Sequence, residues 1–506
     1  MRTVAIALMA AAAAAGLGIA AGASPSGLPT VSRPLPVTPR SYPFSAAAHQ
    51  AVPVDLAAFG YVETEHLVRG RAQVYDRAGQ AVRVLGEGPY TTRILVRRPK
   101  DPRRFNGTVV VEPFNPSDGV DLPIMWAESY RQLMAGGYAW VGVTIKPNTI
   151  AALRRFDPRR YAAVGMPNPF ARPRCSAAEI NSWSRPTTPA DETGLAWDML
   201  SQVGAVLKSR SAANPIPWPV KRLYMTGQSQ TAGYARTYAA FFAGRARGPS
   251  GGPLYDGYLY SGSPPWQVPL NQCLGDLKPG DPRLITPAVG VPVIEIFTQG
   301  DMGTNIATRR PDADAAADRF RRYEIAAAPH VDPWEGRSFA ADADMQRAGM
   351  RDDRQARQAC EPKDVAATDF PNRYVFDAAL RNLDRWVRQG EPAPRGRPLQ
   401  LASNGPFRPD RGFVLDGYGN AAGGVRMPVV EVPTARWVGA KSGPFVCLFE
   451  GYKRPFGSAE LRRLYPSHQA YVAKVAASVA RLERQRWLTP EDGAEVLREA
   501  RGSRIP

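Results

Sequence analysis

Cysteine and histidine are scarce in this sequence, with four residues of each in a chain of 506. Four cysteines exclude a small scaffold held mainly by disulfides, because a chain of this length buries a large hydrophobic core. Acidic residues are outnumbered, with 46 Asp and Glu against 64 Lys and Arg, so the formal net charge is +18. No zinc-finger spacing and no Lys- and Arg-rich run with interleaved aromatic residues is present, so we expect no nucleic-acid partner.

Lysine is also scarce, since only nine of the 64 basic residues are Lys and the Arg residues are scattered along the chain. Such a bias follows codon composition as readily as function. We therefore interpret the charge as a surface property, which would favour electrostatic association with an anionic envelope or substrate. Hydrophobic residues make up 44% and charged residues 22% of the sequence, which is typical of a globular protein and excludes a disordered chain.

The longest apolar run lies at the amino terminus, from Val4 to Ala21, after the basic start Met1-Arg2. Together with the small residues Ala21-Gly22-Ala23, it predicts a secretory signal peptide over residues 1–23, cleaved after Ala23; the alternative is a membrane anchor. We therefore expect a secreted or periplasmic protein in which disulfides can form. Four cysteines allow three pairings, and their spacing indicates no metal site; no cofactor is predicted either.

Apolar β-branched runs alternate with segments of helical periodicity through most of the chain. Strands are predicted at 92–96, 108–112, 138–144, 222–226, 258–260, 293–297 and 322–325, and helices at 124–134, 191–208, 234–242, 373–389 and 471–485. This alternation predicts an α/β fold with a mostly parallel central sheet.

The remaining segments define the domain organisation. Residues 24–50 are rich in Pro and Ser and predict an irregular arm, whereas residues 51–500 predict a single domain. Loop insertions are expected near 262–290 and 331–372, and one of them would act as a lid. Extra short strands are predicted over 397–440, before the late helix.

The motif that carries chemistry is Gly227-Gln228-Ser229-Gln230-Thr231, which lies directly between a predicted strand and a predicted helix. This is the setting of a nucleophile elbow, in which the serine occupies a sharp turn and its neighbours two residues away must be small. Gly227 meets that requirement, while Thr231 replaces the usual glycine. The sequence therefore predicts Ser229 as a nucleophile, and the alternative is an ordinary strand-to-helix turn.

A general base and an acid should follow the serine in the chain. His330 comes just after a predicted strand and fits the base, whereas His49 and His66 precede the serine and His468 lies before the late helix. A histidine in that position would take the serine proton.

The acid should follow the strand at 293–297. Asp301 lies a few residues past the end of this strand, where a carboxylate can accept from the imidazole N–H. Glu295 is the second choice, but a carboxylate in mid-strand is more often bonded to a structural partner, and Asp256 precedes an earlier strand.

An oxyanion needs two N–H donors. The backbone N–H of Gln230 is predicted to supply one, and the N–H of Phe114 or Asn115, in the loop after the strand at 108–112, the other. Pro116 has no N–H to give.

These motifs resemble the secreted bacterial α/β-hydrolase domain-containing proteins over most of residues 50–470. Further matching stretches are Gly107–Glu112 with Asn115 and Ser117, Gly137–Val143, Asp198–Gln202, Tyr323–Ala326, Ala379–Leu380 through Trp386–Val387 with Gly390, and Phe445–Phe449. The resemblance implies an α/β-hydrolase fold, a Ser–Asp/Glu–His triad and, for most members, no established substrate.

The resemblance has two consequences for single residues. Where these proteins usually carry Thr-Glu-x-Asp at a strand end, this chain has Gln299 in place of Glu and keeps Asp301. The resemblance also implies a disulfide between Cys360 and Cys447.

The function predicted from these residues is an exported serine esterase that acts on a small-molecule, lipid or polymer ester through an acyl-enzyme. One alternative is an acyltransferase on the same fold. Another is a catalytically silent protein that binds an anionic polymer or lipid. Oligomeric state cannot be read from the sequence.

Overall fold

A ten-stranded sheet organises the part of the chain that the computed structural model describes, residues 28–180, 188–278, 280–350, 359–402 and 412–505. The predicted signal peptide, residues 1–23, lies outside the described residues. The strands of this sheet are β1 Thr30–Val31, β2 Tyr61–Ala78, β3 Ala81–Pro99, β4 Thr108–Pro113, β5 Ala139–Val143, β6 Arg222–Gln228, β7 Gly257–Ser261, β8 Pro292–Thr298, β9 Ala313–Ala315 and β10 Asp318–Ile325.

The strand order is β1-β2-β3-β5-β4-β6-β7-β8-β10-β9. Six neighbouring strands, from β5 to β10, run parallel, while the pairs at the two edges of the sheet are antiparallel. The predicted α/β fold with a mostly parallel sheet is therefore confirmed. The carboxyl ends of the parallel strands meet at one edge of the sheet, where ligands bind in folds of this kind.

Helices cover both faces of the sheet. Their bounds are α1 Ile124–Ala135, α2 Pro147–Phe156, α3 Ala196–Lys208, α4 Gln230–Phe241, α5 Met302–Asn305, α6 Asp342–Ala348, α7 Asn372–Gln389, α8 Pro428–Glu431, α9 Ser458–Leu464, α10 His468–Arg484 and α11 Pro490–Gly502. A second, three-stranded antiparallel sheet consists of β11 Ala366–Ala367, β12 Ala435–Val438 and β13 Tyr452–Pro455.

Two hydrophobic cores lie on opposite faces of the sheet because side chains alternate along a strand. In β4, Val109 and Val111 belong to the core that contains α2, α3 and α4, and Val110 to the core that contains α1, α7, α10 and α11. All three valines are almost completely buried. This two-sided burial explains why the central strands have nearly continuous apolar sequences.

The structure departs from the sequence-based elements mainly at the first edge of the sheet. β2 and β3 form a hairpin of 18 and 19 residues, whereas the strand predicted there covers only 92–96, which overlaps the part of β3, Ile94–Arg97, that pairs with β5. The rest of the hairpin mixes charged and apolar residues and has no continuous apolar run. The helix α11 was not predicted, and α4 begins at Gln230 rather than at Tyr234.

The described residues of the segments predicted as an arm and as insertions contain little regular structure. Within those residues, 24–50 holds β1 and one 3-10 turn, 262–290 holds one 3-10 turn, and 331–372 holds one 3-10 turn, α6, β11 and the first residue of α7. In the described part of 397–440, isolated bridges, α8 and β12 are found where a series of short strands is predicted; residues 403–411 of this segment lie outside the described residues. No helix in the described ranges is both long and apolar enough to cross a bilayer.

Two disulfides connect distant parts of the chain. Cys175 is bonded to Cys273, and Cys360 is bonded to Cys447, with Cα–Cα distances of 5.6 and 5.3 Å. The second pair is the one that the family resemblance implied. The sequence by itself left all pairings open.

Candidate active site

The predicted elbow is present between β6 and α4. Ser229 has φ 55° and ψ −121°, a conformation that costs free energy in a non-glycine residue and persists only where the surroundings enforce it. Its N–H donates to the carbonyl of Ser261 at 2.8 Å. A Cβ added at Gly227 would lie 2.5 Å from the carbonyl oxygen of Thr231, so only glycine fits there.

Thr231, which replaces the usual glycine of the motif, stabilises the turn through hydrogen bonds to the backbone of Gln228. Its hydroxyl accepts from the N–H of Gln228 at 3.2 Å and donates to the Gln228 carbonyl at 3.0 Å. The side chain is completely buried. The departure from the motif is therefore compatible with the sharp turn that Ser229 needs.

The structure brings Ser229, His330 and Asp301 together, although they follow three different strands. The Oγ of Ser229 lies 2.9 Å from Nε2 of His330, and Nδ1 of His330 lies 2.5 Å from Oδ1 of Asp301. Both His330 and Asp301 are buried. With the proton on Nδ1, the imidazole donates to Asp301 and its Nε2 is free to accept the serine proton.

The orientation of Asp301 is set by the end of β8. Its second oxygen, Oδ2, accepts from the N–H of Thr298 at 2.7 Å and from the Thr298 hydroxyl at 2.8 Å. The carboxylate therefore has one oxygen bonded to the strand end and the other directed at the imidazole. Thr298 is not among the residues predicted from the sequence, although a hydroxyl residue three positions before an acid is a capping pattern that indicates such a contact.

The other acids considered from the sequence have partners elsewhere. The carboxylate of Glu295 is bonded to Thr286 and Arg322, and that of Asp256 accepts from the N–H of Leu223 and pairs with Lys208. Gln299 is buried, and its side-chain oxygen accepts from the N–H of Ala327 at 2.8 Å. The glutamine that replaces the family's Glu therefore supports the chain just before His330 rather than contacting the imidazole.

The other three histidines are likewise bonded elsewhere. His49 stacks on Tyr42, with ring centroids 3.7 Å apart. His66 contacts the Ser32 carbonyl and the Thr64 hydroxyl, and His468 contacts carbonyls near the carboxyl terminus.

Of the backbone N–H groups predicted to bind an oxyanion, those of Phe114 and Asn115 already have acceptors in the structure. Gln230 is the first residue of α4, where the N–H groups of a helix have no acceptor within the helix. The N–H of Phe114 donates to the Val143 carbonyl, and that of Asn115 to the Leu122 carbonyl, both at 2.9 Å. Both of these predicted donors are thus occupied: Phe114 extends the pairing of β4 with β5, and Asn115 pairs with Leu122 where the same loop turns back.

The side chain of Asn115 connects the loop after β4 to the elbow. Its amide donates to the carbonyl of Gln228 at 2.9 Å, which ties the loop after β4 to the residue that precedes Ser229. The same loop is held at its far end by Asp121, which accepts from the buried guanidinium of Arg93 at 3.0 Å. The position of this loop beside Ser229 is therefore fixed at both ends.

A cavity of about 530 Å³ opens above the serine. Asn115, Ser117, Gln230 and the three residues of the hydrogen-bonded chain line it, and most of the remaining wall is apolar. Its larger apolar side chains are Leu122, Ile124, Trp266, Phe339, Phe445, Leu448 and Phe449. Volume and lining are those of a small-molecule site.

A buried lysine lies behind Gln230. The Nζ of Lys146 is 3.5 Å from the side-chain oxygen of Gln230, and burial lowers the pKa of its ammonium from the usual 10.5 to about 7. Lys146 is not among the residues predicted from the sequence, because a single lysine between a strand and a helix belongs to no motif. In the described ranges, no three His, Cys, Asp or Glu side chains are grouped to hold a metal ion.

The sequence matches the alpha/beta hydrolase domain family over residues 31–498. The chain belongs to this family. The α/β-hydrolase fold and the resemblance inferred from the motifs are thereby confirmed. No curated protein matches the chain.

Several solved structures are similar to this hydrolase-family chain at low identity. A thermostable esterase from Pseudomonas putida ECU1011 is 12% identical, with 59% of this chain and 82% of that chain covered and a TM-score of 0.31. The dienelactone hydrolase from Anabaena variabilis ATCC 29413 is 13% identical, with coverage of 56% and 96% and a TM-score of 0.26. XC6422 from Xanthomonas campestris, a serine hydrolase without lid, is 11% identical, with coverage of 52% and 86% and a TM-score of 0.24. These similarities carry no argument about substrate.

Proposed function

We propose that this protein is an exported serine hydrolase that cleaves a carboxylic ester through an acyl-enzyme. The observation that carries the proposal is the continuous hydrogen-bonded chain Ser229–His330–Asp301 at the floor of a mostly apolar cavity. A nucleophile bonded to a base, which is itself oriented by an acid, is the arrangement that acyl transfer requires. Membership of the alpha/beta hydrolase domain family supports it.

In the acylation step, His330 Nε2 takes the proton of Ser229 as Oγ forms a bond to the ester carbonyl carbon. The negative charge moves to the carbonyl oxygen, which the N–H of Gln230 stabilises. The bond between the carbonyl carbon and the alcohol oxygen then breaks, and His330 passes its proton to that oxygen. Asp301 stays ionised and stabilises the imidazolium.

In the deacylation step, water replaces the alcohol. His330 takes a proton from the water as its oxygen attacks the acyl carbon, and the proton returns to Ser229 when the acid product leaves. The N–H groups of Phe114 and Asn115 donate to backbone carbonyls. Either N–H could act as the second oxyanion donor only after its bond to that carbonyl had broken.

Export is part of the proposal and rests on two supports. The amino-terminal sequence is typical of a signal peptide, and both disulfides are compatible with a periplasmic or extracellular protein. The proposed substrate is a small-molecule, lipid or polymer ester.

The test compares the wild type with Ser229→Ala on a panel of p-nitrophenyl esters and on a fluorophosphonate probe. Wild type should hydrolyse short esters and be labelled covalently at Ser229, and Ser229→Ala should lose both properties while its thermal unfolding is unchanged. Ser250→Ala, in an exposed loop, is the matched control and should behave as wild type. Hydrolysis that persists in Ser229→Ala would exclude the assigned nucleophile, and adding an alcohol distinguishes acyl transfer from hydrolysis.

A further inference from the structure

One side of the cavity is formed by a short apolar segment far from the serine in sequence. Residues Phe445–Phe449 form a 3-10 helix, and all but Cys447 line the cavity; we call this segment the 445–449 wall. The rings of Phe445 and Phe449 meet edge to face with centroids 5.0 Å apart. Phe445 is 60% exposed, which is unusual for so large an apolar side chain.

The 445–449 wall is connected to neighbouring segments by a disulfide and by backbone hydrogen bonds. Cys447 is completely buried and is bonded to Cys360. The N–H of Val331 donates to the Phe449 carbonyl at 3.1 Å, and Val331 pairs with Glu450 as a parallel bridge. The wall is therefore attached to the chain at the residue directly after His330.

The contact between Phe449 and His330 indicates which part of an ester the wall faces. The two ring centroids are 4.6 Å apart, and the imidazole directs Nε2 at Ser229. When the ester bond breaks, Nε2 must reach the departing alcohol oxygen to protonate it. The alcohol part of the substrate therefore leaves on the side of the imidazole, which is the side that the wall borders.

We infer that the 445–449 wall is the subsite for the alcohol part of the ester and takes an uncharged aromatic or branched apolar group. This inference rests on the proposed function. The four side chains of the wall that line the cavity are apolar. Because the ring of Phe445 is exposed, an apolar group that covers it removes apolar surface of both partners from water, which favours binding. The disulfide keeps that surface in place when no substrate is bound.

The test uses two series of esters that differ from ethyl acetate in one part only. Benzyl acetate changes the alcohol, and ethyl phenylacetate changes the acyl group. Both acetates form the same acetyl-enzyme, so the ratio of their kcat/KM values reports on ester binding and acylation, in which the two substrates differ only in the alcohol. We expect wild type to prefer benzyl acetate over ethyl acetate by roughly tenfold or more, the range typical of a fitted apolar pocket.

Phe445→Ala should reduce the preference for benzyl acetate over ethyl acetate about tenfold and leave the ratio between ethyl phenylacetate and ethyl acetate unchanged. Because Phe445 is exposed, its replacement should not impair folding. A change in the acyl ratio instead, or an unchanged alcohol ratio, would overturn the inference.

The two disulfides provide a matched pair of variants. Replacing Cys360 and Cys447 by Ser should lower the alcohol preference as Phe445→Ala does, because this disulfide holds the wall. Replacing Cys175 and Cys273, neither of which belongs to the wall, should leave the alcohol preference unchanged. Equal effects of both double variants would contradict a specific role of the wall. If wild type neither hydrolyses any ester nor reacts with the fluorophosphonate, the proposed function itself fails, which is a different result from an unselective esterase.

Discussion

Replacing Asp301 by Asn should inactivate the protein through the tautomer of His330. Oδ2 of Asp301 accepts two hydrogen bonds from Thr298, one from the backbone N–H and one from the hydroxyl. In the variant, the amide oxygen must occupy that position, because an NH₂ group would face the backbone donor. The NH₂ group then takes the place of Oδ1, 2.5 Å from Nδ1 of His330.

An amide that donates to Nδ1 forces the imidazole to carry its proton on Nε2. His330 can then no longer accept the proton of Ser229, although every heavy atom keeps its place. The loss expected for such a tautomer change is about 10⁴-fold in kcat. That factor corresponds to roughly 5.5 kcal/mol of transition-state stabilisation.

The assay is steady-state hydrolysis of p-nitrophenyl acetate by wild type, Asp301→Asn and Asp256→Asn, with thermal unfolding of all three. Asp256 pairs with Lys208 and accepts from a backbone N–H at 2.8 Å, so it controls for the loss of one carboxylate elsewhere in the fold. Asp256→Asn should keep its activity. If Asp301→Asn retained more than a tenth of the wild-type kcat, Asp301 would not be the residue that orients the imidazole.

Three further substitutions have expected outcomes. Gly227→Ala should displace α4, since its Cβ would lie 2.5 Å from the Thr231 carbonyl oxygen, and should lower both esterase activity and the free energy of unfolding, the latter by roughly 1–3 kcal/mol. Arg93→Met should lower the free energy of unfolding in urea by about 3 kcal/mol, because the completely buried carboxylate of Asp121 loses its cation. Lys146→Met should raise the free energy of unfolding by roughly 3–5 kcal/mol at pH 6, and by less as the pH rises towards 10.

The sign of the Lys146 effect follows from its lowered pKa. Between about pH 7 and the usual value of 10.5, the unfolded chain binds a proton at this lysine that the folded chain does not, so wild-type stability rises with pH in that window. A benefit of Lys146→Met that is independent of pH would contradict this reasoning. For Arg93, a loss below 1 kcal/mol would show that the Thr144 hydroxyl, which also donates to Asp121, satisfies this carboxylate without the guanidinium. For Gly227, wild-type activity of the alanine variant would show that the turn can widen.

Much of the fold and part of the candidate site could be predicted because the signals are local. The strand β6, the turn at Ser229 and the start of α4 are adjacent in the chain, and each has its own periodicity or small-residue requirement. The order of strands and helices likewise follows from runs of about five to ten residues. The long hairpin β2–β3 escaped prediction because its charged residues interrupt the apolar pattern.

The choice among neighbouring polar groups could not be read locally. Gln299 and Asp301 are two residues apart, yet the first bonds to a backbone N–H and the second to the imidazole. In the sequence, Phe114 and Asn115 are loop residues with no evident acceptor for their N–H groups. In the structure, Phe114 donates to the carbonyl of Val143 at the end of β5, and Asn115 donates to the carbonyl of Leu122 in its own loop. These outcomes depend on where other strands place their carbonyls.

The sequence by itself therefore determined the fold class, the elbow with Ser229 and the chain order in which Asp301 and His330 follow it, since these depend on short-range pattern and covalent connectivity. Only the tertiary structure decided that the three side chains form one hydrogen-bonded chain and that the 445–449 wall borders the imidazole. The physical reason is that side-chain geometry to within an ångström is set by packing between segments far apart in the chain. That packing cannot be predicted from the composition of a short segment.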